Sequence, residues 1–222
     1  MRGVSDGYWR SAAEDAAMQD EHGFIWLAIL DTVAEDLRGK KVLDAGCNQG
    51  GFLRLLVDAH QILEGWGFDP AGRAIEDARR LAGDRPLTFA VGDTVPPGWV
   101  GFEVAFSHEV LYLVRDLAGH AKAMFEAIQP GASYYATIGV HDRSPIMAEW
   151  HAANAASLDL PPINNLDDVA ELFEATGFTV ALAELRFRFV PASVHRANVP
   201  LLDWFDYYRR DKVLVRFTHP VR

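Results

Sequence analysis

The sequence predicts an α/β fold built on a doubly wound, mostly parallel sheet with helices on both faces. Three observations carry the prediction. Between residues 41 and 140, short apolar runs alternate with segments of helical periodicity, the order that parallel strands joined by crossover helices require. The run Lys41-Val42-Leu43-Asp44-Ala45 ends at a glycine-rich turn, and a helical pattern opens at Phe52. Strand, tight turn and helix is the arrangement that brings backbone close to a nucleotide-like ligand. The run Ser133–Val140 is almost wholly apolar or small, as a strand covered on both faces should be.

Residues 1–20 are polar and alanine-rich, with Tyr8-Trp9 as an aromatic pair and a plausible helix around Ser11–Met18. They read either as a surface helix anchored by two aromatics or, with residues 21–23, as a flap over a ligand. Phe24 to Leu37 has apolar residues at mostly helical spacing and closes on Arg38-Gly39-Lys40, a cation and then glycine. The first strand is Lys41–Ala45, and the helix behind the turn runs to about His60. Gln61–Phe68 reads as the second strand, followed by Asp69-Pro70. Pro70 suits the first turn of the helix Ala71–Ala82, which puts Ala74, Ile75, Ala78 and Leu81 on one face. A turn at Gly83-Asp84-Arg85-Pro86 leads to the third strand, Leu87–Val91, and Gly92-Asp93 follows it. Phe102–Ser107 is the fourth strand. Asp116 to Gln129 is a helix stopped by Pro130-Gly131, and Ser133–Val140 is the fifth strand.

The alternation then breaks. Residues 141–165 read as a long irregular stretch, 166–176 as a helix, and Gly177-Phe178 as the start of a long strand to Val190. Residues 191–211 are rich in aromatics, including Trp204, Phe205, Tyr207 and Tyr208, and Val213–Phe217 is a last short strand. Two late strands without a crossover helix between them predict an antiparallel pair at one sheet edge.

Composition narrows the function. The chain has 222 residues, half of them hydrophobic, which suits one domain with a sizeable core. Its net charge of −10 argues against a nucleic-acid partner, because such proteins cluster Lys and Arg against phosphates. The charge suits a cationic small molecule, or solubility alone. Cys47 is the only cysteine, so no intrachain disulfide forms and a cytoplasmic protein is the simpler reading. Within the turn it has no neighbouring base to make it a nucleophile and reads as a small packed residue. No apolar run approaches the ~20 residues of a membrane span, so no membrane partner is expected.

In a doubly wound sheet, ligands sit outside the carboxyl ends of the strands. Asp44, Asp69 and Asp93 fall there. Asp69 lies 18 to 23 positions beyond Gly51 and Gly46 (69 − 51 and 69 − 46), the spacing of a carboxylate that holds a ribose diol. Asp93 is placed to meet an adenine amine. Either residue could instead cap the segment that follows it. A dinucleotide reading fits poorly: the second fingerprint position is Asn48, and Asp44 would sit close to phosphates. A cationic, phosphate-free nucleoside suits the site better.

Val42-Leu43-Asp44-Ala45-Gly46-Cys47-Asn48-Gln49-Gly50 resembles the first motif of the class I S-adenosylmethionine-dependent methyltransferases. Gly67-Phe68-Asp69-Pro70 and Val91-Gly92-Asp93 resemble the second and third, in order. Phe102 to Leu111 is similar to the fourth, Ile128-Gln129-Pro130-Gly131-Ala132 to the turn before strand five, and Ala175-Thr176-Gly177-Phe178 to the entry of strand six. The resemblance covers about residues 24–190. Asn48 departs from it, standing where the family commonly has glycine.

The resemblance implies a seven-stranded Rossmann-like methyltransferase sheet whose last strand is antiparallel, and S-adenosylmethionine as cofactor. The Gly46–Gly51 turn would face its methionine part, Asp69 the ribose hydroxyls, and Asp93 with Thr94 the adenine, while Ser107 and His108 would lie near the sulfonium. The expected contact set is Asp44, Gly46, Cys47, Asn48, Gly50, Phe52, Asp69, Pro70, Gly92, Asp93, Thr94, Ser107 and His108. The implied reaction is direct displacement of the methyl group onto an O or N atom of a small-molecule acceptor. A base to take the acceptor's proton is expected at His108, then His141, then Glu109. The segments 1–23, 141–165 and 191–211 would cover the acceptor, with Trp150 and the late aromatics either as its wall or as ordinary core. A monomer or homodimer is expected, with no metal. The alternatives are a nucleoside-binding protein without catalysis and an NAD-dependent oxidoreductase.

Overall fold

The structure is a computed structural model that describes residues 12–192 and 199–221, with side chains from residue 22 onward. Tyr8 and Trp9 lie outside the described residues. The helix α1 (Ala12–Val33) precedes β1 (Lys41–Ala45), α2 (Gly51–His60), β2 (Glu64–Asp69), α3 (Gly72–Ala82), β3 (Leu87–Val91) and β4 (Phe102–His108). A 3₁₀ turn, Leu111–Leu113, leads to α4 (Leu117–Ala127) and β5 (Ile128–Ile138). Then come α5 (Pro145–Leu158), α6 (Leu166–Thr176), β6 (Thr179–Glu184), α7 (Leu201–Asp206), a π-helical turn at Tyr207–Asp211, and β7 (Val213–Thr218).

The seven strands form one sheet in the order β3-β2-β1-β4-β5-β7-β6. The pairs from β3 through β5 are parallel, and β7 runs antiparallel to both β5 and β6. The strand order reverses beside β1, so the carboxyl ends of β1 and β4 flank the crevice where such sheets take their ligands.

Two apolar layers sandwich the sheet. On one side Ile25 and Ile29 of α1, Leu53 and Leu56 of α2, and Ile75 of α3 pack on Val42, Val104 and Phe106. On the other side Met124 of α4 and Val169 and Phe173 of α6 pack on Leu43, Tyr134 and Phe217. Phe173 stacks on Phe217 with ring centroids 3.8 Å apart, a contact worth about 0.5–1.5 kcal/mol beyond its buried area.

Four expectations need correction. The chain before β1 is one helix through Gly23 to Val33, not a short helix and a second one to Leu37, and it ends where Ala34 turns left-handed at φ 49°. Residues 141–165 are not irregular. They hold α5, whose alanine-rich sequence buries only Met147 and His151 and so shows no apolar stripe to a sequence reader. Pro130-Gly131 does not end α4 but lies inside β5, at a register shift opposite Phe102 and Val104, a bulge position that tolerates proline. β6 stops at Glu184 rather than Val190, because its only ladder partner among the described residues, β7, is six residues long.

Candidate functional site

The turn after β1 is built from left-handed residues. Gly46, Asn48 and Gly50 have φ of 76°, 46° and 69°. Asn48 adopts this conformation more readily than most side chains, and its Oδ1 accepts the Gln49 N–H at 2.6 Å. Two of the glycines are also required by contact. A Cβ on Gly46 would collide with Val110, and one on Gly50 would lie 2.5 Å from the Phe89 ring.

Asp69, at the end of β2, ties the turn to the next segment. Its Oδ2 accepts the Asn48 N–H at 2.9 Å and its Oδ1 the Ala71 N–H at 2.8 Å. A carboxylate has about four acceptor sites, and these two bonds orient it. Pro70 stands before the N-cap Ala71 rather than in the first turn of α3. Asp44 is buried at 4% exposure and takes no hydrogen bond from the described residues. Its carboxyl is pushed up to about 7, by burial first and by the neighbouring Asp69 second. An acid in that state is poised to ionise against a cation.

The remaining donor-side residues have varied roles. Cys47 tucks its thiol under the turn, where a Cβ on Gly67 would touch Sγ at 2.7 Å, and burial raises its pKa. Its backbone is engaged within the turn, the N–H on the Phe68 carbonyl at 3.1 Å and the carbonyl on the Gly50 N–H at 2.8 Å, and a buried thiol of raised pKa is no nucleophile. Phe52 is core, edge-on to Phe106 at 5.2 Å. The Gly92 N–H binds the Asp69 carbonyl at 3.0 Å, and Asp93 and Thr94 are exposed just beyond it.

At the end of β4 the expected residues separate. Ser107 turns into the α4 side, where its hydroxyl meets Tyr134 Oη at 2.7 Å and Tyr134 in turn meets His120 Nε2 at 3.0 Å. That triad is buried: His120 falls to about 4 through desolvation alone. His108 turns to α1. Its Nδ1 accepts the Trp26 indole N–H at 3.1 Å, and the His22 ring lies 4.6 Å away. Burial holds His108 well below the usual histidine range, with His22 and Lys212 adding to the effect.

Glu109 and His141 are committed elsewhere. Glu109 has φ 57°, a strained backbone that persists only where its surroundings impose it. Its Oε1 accepts Lys212 Nζ at 2.7 Å, and its Oε2 accepts the Gly139 N–H at 3.3 Å. Lys212 is only 4% exposed. His141 Nε2 donates to the Asp211 carbonyl at 2.6 Å and so fastens the end of the π-helical turn. Among the late aromatics, Trp204, Tyr207 and Tyr208 are core and Phe205 is partly exposed, while Trp150 meets Tyr112 edge-on at 6.3 Å.

Sequence reasoning missed Trp26 and Lys212. Trp26 lay inside a helical pattern as one more apolar residue. Lys212 was a lone cation beside the last strand, and nothing local marks its burial.

The fold defines the class, a Rossmann-like α/β sheet, and its strand-end carboxylates have the chemistry to suit a cationic nucleoside. A family profile described as a methyltransferase domain matches residues 16–183, and the chain belongs to that family. It carries a methyltransferase domain, and its structural neighbours include a complex with S-adenosyl-L-methionine. The observed carboxylates fit that group: Asp44 for positive charge and Asp69 for vicinal hydroxyls.

A putative methyltransferase of Haloferax volcanii, in complex with the Trm112 methyltransferase activator, is similar over 95% of both chains at 22% identity and TM-score 0.79. Phosphoethanolamine N-methyltransferase 2 of Haemonchus contortus in complex with S-adenosyl-L-methionine is similar over 100% of this chain and 61% of its own, at 17% identity and TM-score 0.71. At such identities these likenesses show the fold. A tRNA U34 carboxymethyltransferase of Idiomarina loihiensis is 31% identical over 106 residues, 44% of this chain and 32% of that enzyme; the matched segment is thus about a third of the curated relative's length.

These findings overturn the expected partners, a small-molecule acceptor without nucleic acid and a chain alone or as a homodimer. A relative modifies tRNA, and a structural neighbour stands in complex with an activator protein. The physical error was to read a net charge as a binding surface. A whole-chain sum does not describe one face, nor the cations a second protein can bring. Among the described residues, no helix is long and apolar enough to cross a membrane.

Proposed function

We propose that the chain moves the methyl group to an oxygen or nitrogen atom of an acceptor held over the carboxyl ends of β4 and β5, and that this acceptor is a nucleoside of RNA presented with the help of a partner protein. One contact carries the placement. Gly46 of the donor turn packs against Val110, two residues beyond His108, so the donor turn and the loop after β4 form one wall.

In this reading Asp44 faces positive charge, Asp69 takes the ribose hydroxyls, and the exposed Asp93 and Thr94 border the adenine. When bound, S-adenosylmethionine supplies a methyl group on an already activated sulfur. The chain contributes alignment and exclusion of water. Residues 141–165 and 199–211 cover the acceptor; residues 1–11 and 193–198, expected to share that role, lie outside the described residues. The relative that modifies tRNA supports the acceptor class, and the neighbour bound to an activator supports the partner. A chain of net charge −10 gains most from a partner that brings cations to a phosphate backbone. We place the protein in the cytoplasm, where a single buried thiol stays reduced.

The test is release of S-adenosylhomocysteine with bulk tRNA, with and without a Trm112-type activator, beside a panel of amines and alcohols. Release that depends on tRNA supports the reading. Release with a small molecule alone refutes the acceptor. Calorimetry showing NAD bound in preference to S-adenosylhomocysteine would refute the donor site.

A further inference from the structure

A hydrogen-bond donor fixes where its partner keeps its proton. The Trp26 indole carries one N–H and no acceptor, and it donates to His108 Nδ1 at 3.1 Å. Nδ1 therefore presents its lone pair, and the neutral ring carries its proton on Nε2. That Nε2–H is buried and has no hydrogen-bond partner among the described residues. Buried donors are rarely left so.

We propose that His108 serves the transfer as a neutral hydrogen-bond donor that positions the acceptor through Nε2–H, and that Trp26 is the positioning residue that locks this tautomer. The inference rests on the transfer reading above and says what the acceptor must offer: a carbonyl or hydroxyl oxygen beside the attacked atom. A base role conflicts with the same geometry, because the free lone pair faces Trp26 instead of the acceptor. Protonation of Nδ1 would set two donors face to face. The surrounding charged groups do not help an imidazolium: the His22 ring lies 4.6 Å away, and the Lys212 ammonium also disfavours the charged form. The nearby carboxylate, Glu109, already holds Lys212 and the Gly139 N–H. The proton shed by the acceptor goes to water.

The decisive measurement is two-bond ¹H–¹⁵N correlation on the full chain labelled at histidine, with and without S-adenosylhomocysteine. His108 is expected as the Nε2–H tautomer, unchanged between about pH 5 and pH 8. An Nδ1–H tautomer or an imidazolium in that range overturns the inference. Trp26→Phe is expected to admit the second tautomer while S-adenosylhomocysteine affinity stays within about twofold; an unchanged spectrum would remove Trp26 from the role. In the transfer assay, His108→Gln keeps an N–H donor and is expected to retain about a tenth of the rate, against about a 100-fold loss in His108→Ala. Equal losses would make His108 the base. Failure of S-adenosylhomocysteine to bind would instead count against the donor site, and the tautomer can still be read on the free chain.

Discussion

The proposed donor half of the site and its proposed acceptor half are assembled differently. The donor half is local: Asp69 reaches Ala71 two residues away and Asn48 twenty-one away. The acceptor half is joined across the chain. Trp26 and His108 are 82 residues apart, His141 and Asp211 are 70 apart, and Glu109 and Lys212 are 103 apart. A turn that two neighbouring strands define can keep its ligand while the facing half is rebuilt around different acceptors.

The largest expected effect tests the long-range half. Lys212→Met removes one partner of a buried ion pair and leaves Glu109 uncompensated, which costs about 3–5 kcal/mol. Denaturant unfolding should show that loss, and the double variant Lys212→Met with Glu109→Gln should recover most of it. A single variant as stable as the parent would mean that the pair is solvated and does not anchor the π-helical turn.

Glycines on the two sides should respond differently to alanine. At Gly46 the new methyl meets Val110, and the backbone is left-handed as well. Strain of about 1–2 kcal/mol from the left-handed backbone adds to overpacking of about 1–3 kcal/mol, and Val110→Ala relieves only the second. At Gly139 the nearest obstacle is the Tyr207 hydroxyl, with Tyr207 Cζ and Glu109 Oε1 at 3.1 Å behind it, and φ lies outside the left-handed range, so Tyr207→Phe should recover most, but not all, of the stability lost in Gly139→Ala. Equal rescue in both pairs would erase the distinction.

Asp69→Ala should weaken S-adenosylmethionine binding by about 1–3 kcal/mol, since it leaves the ligand hydroxyls and two backbone N–H groups without their acceptor. Asp44 gives the pH signature. Its folded value of about 7 lies above the ordinary carboxyl value of 3.8, so the free folded chain holds a proton that the unfolded chain loses. That contribution is complete below about pH 4. It is lost as pH rises through 7, with a slope of up to about 1.4 kcal/mol per pH unit. A cationic ligand reverses the preference, so affinity should rise with pH up to about 7 and binding near pH 6 should release a proton. Calorimetry in two buffers of different ionisation enthalpy measures that proton; Asp44→Asn should abolish it.

How much was legible follows the same division. The positions of Asp44, the turn and Asp69 were legible because each stands at a strand end; their ligand roles are the proposal. The sheet was legible because buried parallel strands are continuous apolar runs. The acceptor half was not. Whether Lys212 is buried, or which nitrogen of His108 meets Trp26, depends on how α1 and the π-helical turn dock, and no local pattern encodes that. α5 was hidden because alanine gives a helix without giving it an apolar stripe. RNA was excluded on a summed charge, a quantity without position.

The smallest expected effect decides which half Ser107 belongs to. Beside the sulfonium, as the motif implies, its hydroxyl would alter donor affinity. In the buried triad it contributes one hydrogen bond to Tyr134, which keeps His120 as its other partner. Ser107→Ala should then cost about 1 kcal/mol of stability and leave S-adenosylhomocysteine affinity unchanged. Tyr134→Phe should cost more, because it strands both Ser107 and His120 in a dry interior. A Ser107→Ala variant of parental stability and weakened ligand binding would return Ser107 to the donor site, and the boundary between the two halves would have to be drawn through β4 instead of after it.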